Sequence, residues 1–296
     1  MSKIEVNHYQ STSTKKIRSN KPMKKIGKVF VEIFSVLATL IIFGIPFYFV
    51  IVNALKNRQE SSLLNMDWPN SIHIIDNFKE VISAQDRMII RAFFNSIMIT
   101  GFSIALLILF GSAAGYILHR KVGRITPFFN FLILAGLIIP PAVVPTIWVL
   151  QEIGLFKSMP GIILVEVALN LPFTVMLYRS FMVTIPRSLD EAALIDGCGK
   201  FRLFFNVIFP LLKPVSATVI VLTAVNVYYD YVNPLYFFPG AENATLQLTL
   251  YNFMSMYMTE WNLLFTNILL ISIPPLILFI IFNKQIVAGM TAGSVK

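Results

Sequence analysis

Two sets of side chains in this 296-residue sequence have the types and spacing to handle a polar ligand. Glu166, Asn170 and Phe173 fall at i, i+4 and i+7, so a helix places them on one face. Asn226, Asp230 and Asn233 repeat that arrangement further along, with Tyr228, Tyr229 and Tyr231 beside them. Carboxylates, amides and aromatic faces together suit a hydroxyl-rich solute. All of these residues lie within otherwise apolar stretches. Ionisable groups there are costly and face an interior or a water-filled cavity. The same groups serve equally well as hydrogen bonds between helices, and the sequence leaves both roles open.

Nothing comparable points to catalysis. No paired carboxylates, Ser/His/Asp set or metal-ligand cluster stands out. His8, His73 and His119 are scattered, and the single cysteine, Cys198, rules out an internal disulfide. We therefore expect no catalytic and no metal-binding residues.

The elements that must hold these side chains follow from composition. Hydrophobic residues make up 56% of the chain and charged residues 13%, yet the formal net charge is +9. Soluble domains carry about 25% charged residues, so a soluble enzyme and a nucleic-acid binder are disfavoured. A bilayer helix needs about 20 mostly apolar residues. Six stretches are candidates: 29–52, 95–118, 126–150, 160–178, 215–237 and 263–282. The first is longer than the apolar core of a signal peptide and lacks a following cleavage site, so it reads as a retained helix. The fold class is an all-α membrane protein with six transmembrane helices.

Basic residues collect on one side. Lys3, Lys15, Lys16, Arg18, Lys21, Lys24, Lys25 and Lys28 precede the first stretch, against Glu5 alone. Arg120, Lys121 and Arg124 lie between the second and third. The segment 53–90 on the other side mixes both signs. By the positive-inside rule both termini are cytoplasmic. The expected organisation is a basic tail (1–28), a six-helix domain (29–283) and a C-terminal tail (284–296). Three prolines, Pro140, Pro141 and Pro145, interrupt the third stretch, and Pro172 interrupts the fourth. Broken helices of this kind line sites and permit motion in transporters, and they also occur as static kinks.

One long loop, 179–214, is too apolar to be disordered. Ser188 with Glu191 has the spacing of a capping box, which predicts a short helix over 189–195. Gly197 and Gly199 then favour a turn, and a second apolar segment runs from 201 to Pro210. The product is a compact helix–Gly–helix knob with the look of a docking surface.

The loop also resembles the signature of ABC importer permeases: Glu-Ala-Ala, three residues, Gly, nine residues, Ile-x-Leu-Pro. Here Glu191, Ala192 and Ala193 precede Gly197 by that spacing, and Val207-Ile208-Phe209-Pro210 closes it. Val207 and Phe209 replace the usual Ile and Leu, so both positions stay apolar. Further similarities run through nearly the whole chain: NFKEVI at 77–82, FFNSIMIT at 93–100, AAGYILHRKVGR at 113–124, IPPAVVPTIWVLQEIGL at 139–155, and VAGMTAGSVK at the C-terminus. The last is similar to the ending of the second permease in maltose- and multiple-sugar-type pairs.

The resemblance implies a type I ABC importer permease fold and a carbohydrate-uptake role in a bacterial cytoplasmic membrane. It implies a second permease, two ATP-binding cassette subunits and an extracytoplasmic solute-binding protein as partners. ATP and Mg would sit on the ATPases, since this chain has no phosphate-binding loop and would bind no cofactor. Glu191, Ala192, Ala193, Asp196, Gly197 and Pro210 would form the coupling element, with Glu191 pairing to a basic residue of the ATPase. Glu166, Asn170, Asn226, Asp230 and Asn233 would line substrate passage. The alternatives are a permease for polyamine, phosphate or another non-sugar solute, or a polytopic membrane enzyme.

Overall fold

The computed structural model describes residues 21–121, 123–250 and 260–292. By its contacts the chain divides into two units, Met1–Phe49 and Val50–Lys296. Helix α1 (Lys21–Thr39) passes through a π-helical turn, Leu40–Gly44, into α2 (Ile45–Leu55). The basic segment expected as a tail is thus helical from Lys21 onward, while residues 1–20 lie outside the described residues.

The second unit continues with α3 (Arg58–Ser61), α4 (Ile74–Arg120), α5 (Thr126–Ile138), α6 (Val143–Glu152) and α7 (Met159–Met182). The loop region carries α8 (Ser188–Ile195), α9 (Lys200–Arg202), a π-helical segment Leu203–Ile208 and α10 (Phe209–Leu211). Then follow α11 (Lys213–Tyr229), α12 (Val232–Phe237), α13 (Leu246–Thr249) and α14 (Trp261–Ala292). No strand occurs among the described residues.

Four helices are long and apolar enough to cross a bilayer: Val31–Leu55, Arg87–Arg120, Met159–Met182 and Trp261–Phe282. Two bent pairs raise the number to six if each is one span: α5 with α6, at 119°, and Lys200–Leu211 with Lys213–Tyr229, at 73°. The third expected span is therefore not one straight helix. Pro140 and Pro141 fall in the break between α5 and α6, where proline lacks the N–H that would continue the ladder. Pro145 lies inside the first turn of α6, where a missing N–H costs nothing. The fifth expected span also stops early, at Tyr229. At the C-terminus α14 runs to Ala292 and absorbs most of the expected tail.

Close packing fixes α4 against α7. Gly111 and Gly115 form a Gly-x-x-x-Gly stripe that lets the two backbones approach. A methyl group on Gly115 would lie 2.7 Å from Tyr178 Cβ. Buried Tyr178 then reaches α11, its hydroxyl 2.8 Å from Ser216 Oγ. The Tyr228 hydroxyl donates to the Ile271 carbonyl at 3.0 Å and joins α11 to α14.

At the end of the bundle where α4 begins, the Asn77 side chain makes a joint of three hydrogen bonds. Its Nδ2 donates to the carbonyls of Ala54 and Lys56, both at 2.9 Å, and its Oδ1 accepts from Asn262 Nδ2 at 2.8 Å. These carbonyls lie at the C-terminal end of α2, where the helix's own N–H groups no longer reach. The NFKEVI segment thus has a structural reason for its asparagine. Asn95 and Ser96 do similar work on one loop: Asn95 Nδ2 donates to the carbonyls of Glu242 and Ala244, and Ser96 Oγ accepts from Leu246 N.

Candidate functional site

Helix α8 ends in a Schellman motif. Cys198 N donates to Ala193 O at 2.9 Å and Gly197 N to Leu194 O at 3.1 Å. That closure requires a left-handed residue, and Gly197 has φ +77°. The expected capping box is absent. Arg187 is the N-cap residue and Ser188 belongs to the first turn, where its side chain makes no capping bond. The carbonyls just before the helix have another partner, Arg120.

Of the residues nominated for the coupling element, Ala193 alone turns inward, packing in a core with Tyr178, Met182, Leu203 and Phe204. Glu191, Ala192, Asp196 and Gly197 are exposed, as is Pro210 inside α10. Large apolar side chains share the exposed surface: Ile195 is 86% accessible and Phe201 84%. An exposed mixture of acids and bulky apolar groups beside a rigid turn has the composition of an interface.

Asp190 behaves differently from its neighbour Glu191. Its Oδ2 lies 2.9 Å from Arg120 Nη2, and the two side chains are 13% and 10% exposed. Tyr116 OH donates to Asp190 Oδ1 at 2.8 Å. Arg120 Nη2 also donates to Ile185 O at 2.9 Å and to Pro186 O at 3.4 Å. Tyr116 and Arg120 stand four residues apart on one face of α4. A single arginine thus holds the start of α8 and the strand of loop before it.

The second set of residues joins α7 to α11 and α12 by two side-chain bonds. Asn226 Nδ2 donates to Asn170 Oδ1 at 2.7 Å, and Asn233 Nδ2 donates to Glu166 Oε1 at 3.0 Å. Glu166 is only 2% exposed. Asn170 turns its own Nδ2 to Glu166 O, at 2.9 Å. Asp230 accounts for the break after α11: its Oδ1 accepts from Val232 N at 2.7 Å and Asn233 N at 3.2 Å, which caps α12. The two nominated triads therefore meet each other, but Asn226 and Asn233 do so from two separate helices rather than one face. Asn226 and Phe173 keep exposed surface.

Residues 107–292 match the family described as binding-protein-dependent transport system inner membrane component. The chain belongs to this family. The permease is 34% identical over 256 residues to the melibiose/raffinose/stachyose import permease protein MelC of Bacillus subtilis (strain 168), covering 85% of this chain and 91% of that one. It is 32% identical over 255 residues to the probable starch degradation products transport system permease protein AmyC of Thermoanaerobacterium thermosulfurigenes, with 85% and 91% covered. Its fold matches a chain in the crystal structure of a bacterial ABC transporter involved in the import of the acidic polysaccharide alginate. The TM-score is 0.72 at 19% identity, over 94% of this chain and 99% of that chain. The permease is a transporter subunit of the inner membrane, not an enzyme, and has the type I importer permease fold.

Sequence reasoning passed over Asp190, Arg120 and Tyr116 as site residues of the permease. A signal was present, since Tyr116 and Arg120 share a helix face at the end of an apolar stretch. Their partner lies in a distant segment, so no local pattern pairs them. Ile195 and Phe201 were also missed, because apolar residues in a long loop read as core until their exposure is seen.

Proposed function

We propose that this chain is one of two permease subunits of an ATP-driven importer that brings a sugar or oligosaccharide into the cytoplasm by alternating access. The observation that carries the reading is the exposed face of α8, with Glu191, Ala192, Ile195 and Asp196, locked by the Gly197 turn. In this reading α8 is the coupling helix and sits in a groove of an ATP-binding cassette subunit. Glu191 meets a basic residue there, Ala192 permits close approach, and Ile195 and Phe201 lose their exposure. Each of two such ATPases holds ATP and Mg, and their closure biases a two-state equilibrium of the permease pair. The side bearing α8 and both termini is cytoplasmic, in keeping with the basic residues around it. A solute-binding protein delivers the substrate on the opposite side.

The sugar assignment follows the substrates in the names of MelC and AmyC. Asn226 and Asp230 face the passage, where amide and carboxylate groups meet hydroxyls. Glu166, Asn170 and Asn233 brace the wall behind them.

The test is uptake of labelled oligosaccharides into proteoliposomes holding the permease pair, its ATPases and its binding protein. Accumulation that needs both ATP and the binding protein supports the reading. Equal entry without ATP overturns it.

A further inference from the structure

We propose that Arg120, Asp190 and Tyr116 form a clamp that makes α4 travel with α8 as one body, so that α4 carries motion from the coupling helix to the far end of the bundle. The proposal rests on the reading of α8 as the coupling helix.

The geometry is that of a fixed joint. Arg120 and Asp190 are almost wholly withdrawn from solvent and lie 2.9 Å apart. Tyr116 OH takes the other carboxylate oxygen at 2.8 Å. Arg120 reaches Ile185 O and Pro186 O as well, so both the helix and the chain leading into it are held. Separating such a pair leaves a largely buried charge without its partner. The ring of Phe204 stacks obliquely on Tyr116, 5.5 Å between centroids, and closes one side of the joint.

Near its middle α4 is fastened a second time. Asn95 and Ser96 hold the 242–246 loop by three hydrogen bonds. From Asn95 to Arg120 the helix is continuous and spans about 37 Å at 1.5 Å per residue. Along that length α4 packs closely on α7, with Gly111 and Gly115 bringing the backbones together and Ile99 and Leu107 in the shared core. A continuous helix held at both points passes displacement from one to the other.

Spin labels on Lys121→Cys and Ser188→Cys, in a Cys198→Ser background of the assembled transporter, read the joint directly. The expected result is one label-to-label distance, the same without nucleotide and with trapped ATP. Two distances, one for each state, overturn the clamp, and this measurement leaves the clamp residues intact. In the same transporter, Arg120→Gln and Asp190→Asn should each lower sugar moved per ATP hydrolysed by about tenfold, within the usual range of coupling between sites. The double variant should be no worse than either one. Unchanged ratios in the single variants, or losses that multiply in the double, overturn the proposal. Glu191→Lys separates the two readings. If it still abolishes uptake while Arg120→Gln leaves the sugar moved per ATP unchanged, the clamp fails and the docking of α8 stands. If Glu191→Lys leaves uptake normal, the coupling role of α8 itself fails.

Discussion

Helix α8 and the junction of α7 with α11 and α12 each carry two acidic residues nominated from sequence, and they use them in opposite ways. Glu191 and Asp196 stand exposed on a short helix, and neither forms an ion pair among the described residues. Glu166 is buried against Asn233, and Asp230 spends one oxygen on the backbone of α12. An acid whose hydrogen bonds are met inside the chain is holding the chain together. An acid left in the open on a rigid knob is available to something else. The same residue type, in one protein, thus separates by where its bonds go.

Substitutions can break or sharpen this contrast. Glu191→Lys should abolish ATP-driven uptake in proteoliposomes while thermal unfolding of the purified protein moves by no more than about 0.5 kcal/mol, as for an ordinary surface change. A large loss of stability would erase the contrast. Glu166→Ala should do the reverse. Removing the acceptor of Asn233 costs about 1–3 kcal/mol, seen as a lower melting temperature, and Glu166→Gln should recover most of it because its Oε1 still accepts. A melting temperature unchanged in Glu166→Ala would show that the junction is not a brace. At the end of α8, Gly197→Val forces a β-branched residue into a left-handed conformation at a cost of about 1–2 kcal/mol. Co-purification of the ATPase should fall with it. Asn226→Ala should be mildest, about 0.6 kcal/mol in unfolding, the typical value for a polar bond between membrane helices. Its uptake rate should fall by more than that small change in stability explains if Asn226 faces the passage.

Much of this was legible beforehand. Apolar runs announced the helices, and the Glu191–Gly197 spacing announced the knob, because both depend on neighbours in sequence. The paired prolines at 140 and 141 announced a break, but not a 119° bend, since the angle is set by what α5 and α6 pack against. Which of Asp190, Glu191 and Asp196 faces inward was not legible. Arg120, seventy residues upstream of Asp190, decides it. The span expected at 215–237 breaks after Tyr229 for a similar reason. Asp230 sits in an apolar run, and composition does not reveal that its carboxylate turns back to cap a new helix. The nominated triads did meet, though as partners of one another.

The joint at Asn77 ties together segments that are made at different times. Its amide secures the end of α2 early, using neighbours about twenty residues away, but its carbonyl oxygen waits for Asn262. A chain emerging from the ribosome therefore inserts helix after helix with that acceptor open. The loop closes only when the last helix arrives, and contacts so distant in sequence form slowly. A chain that stops short of Asn262 therefore lacks the bond that ties the start of α4 to α14.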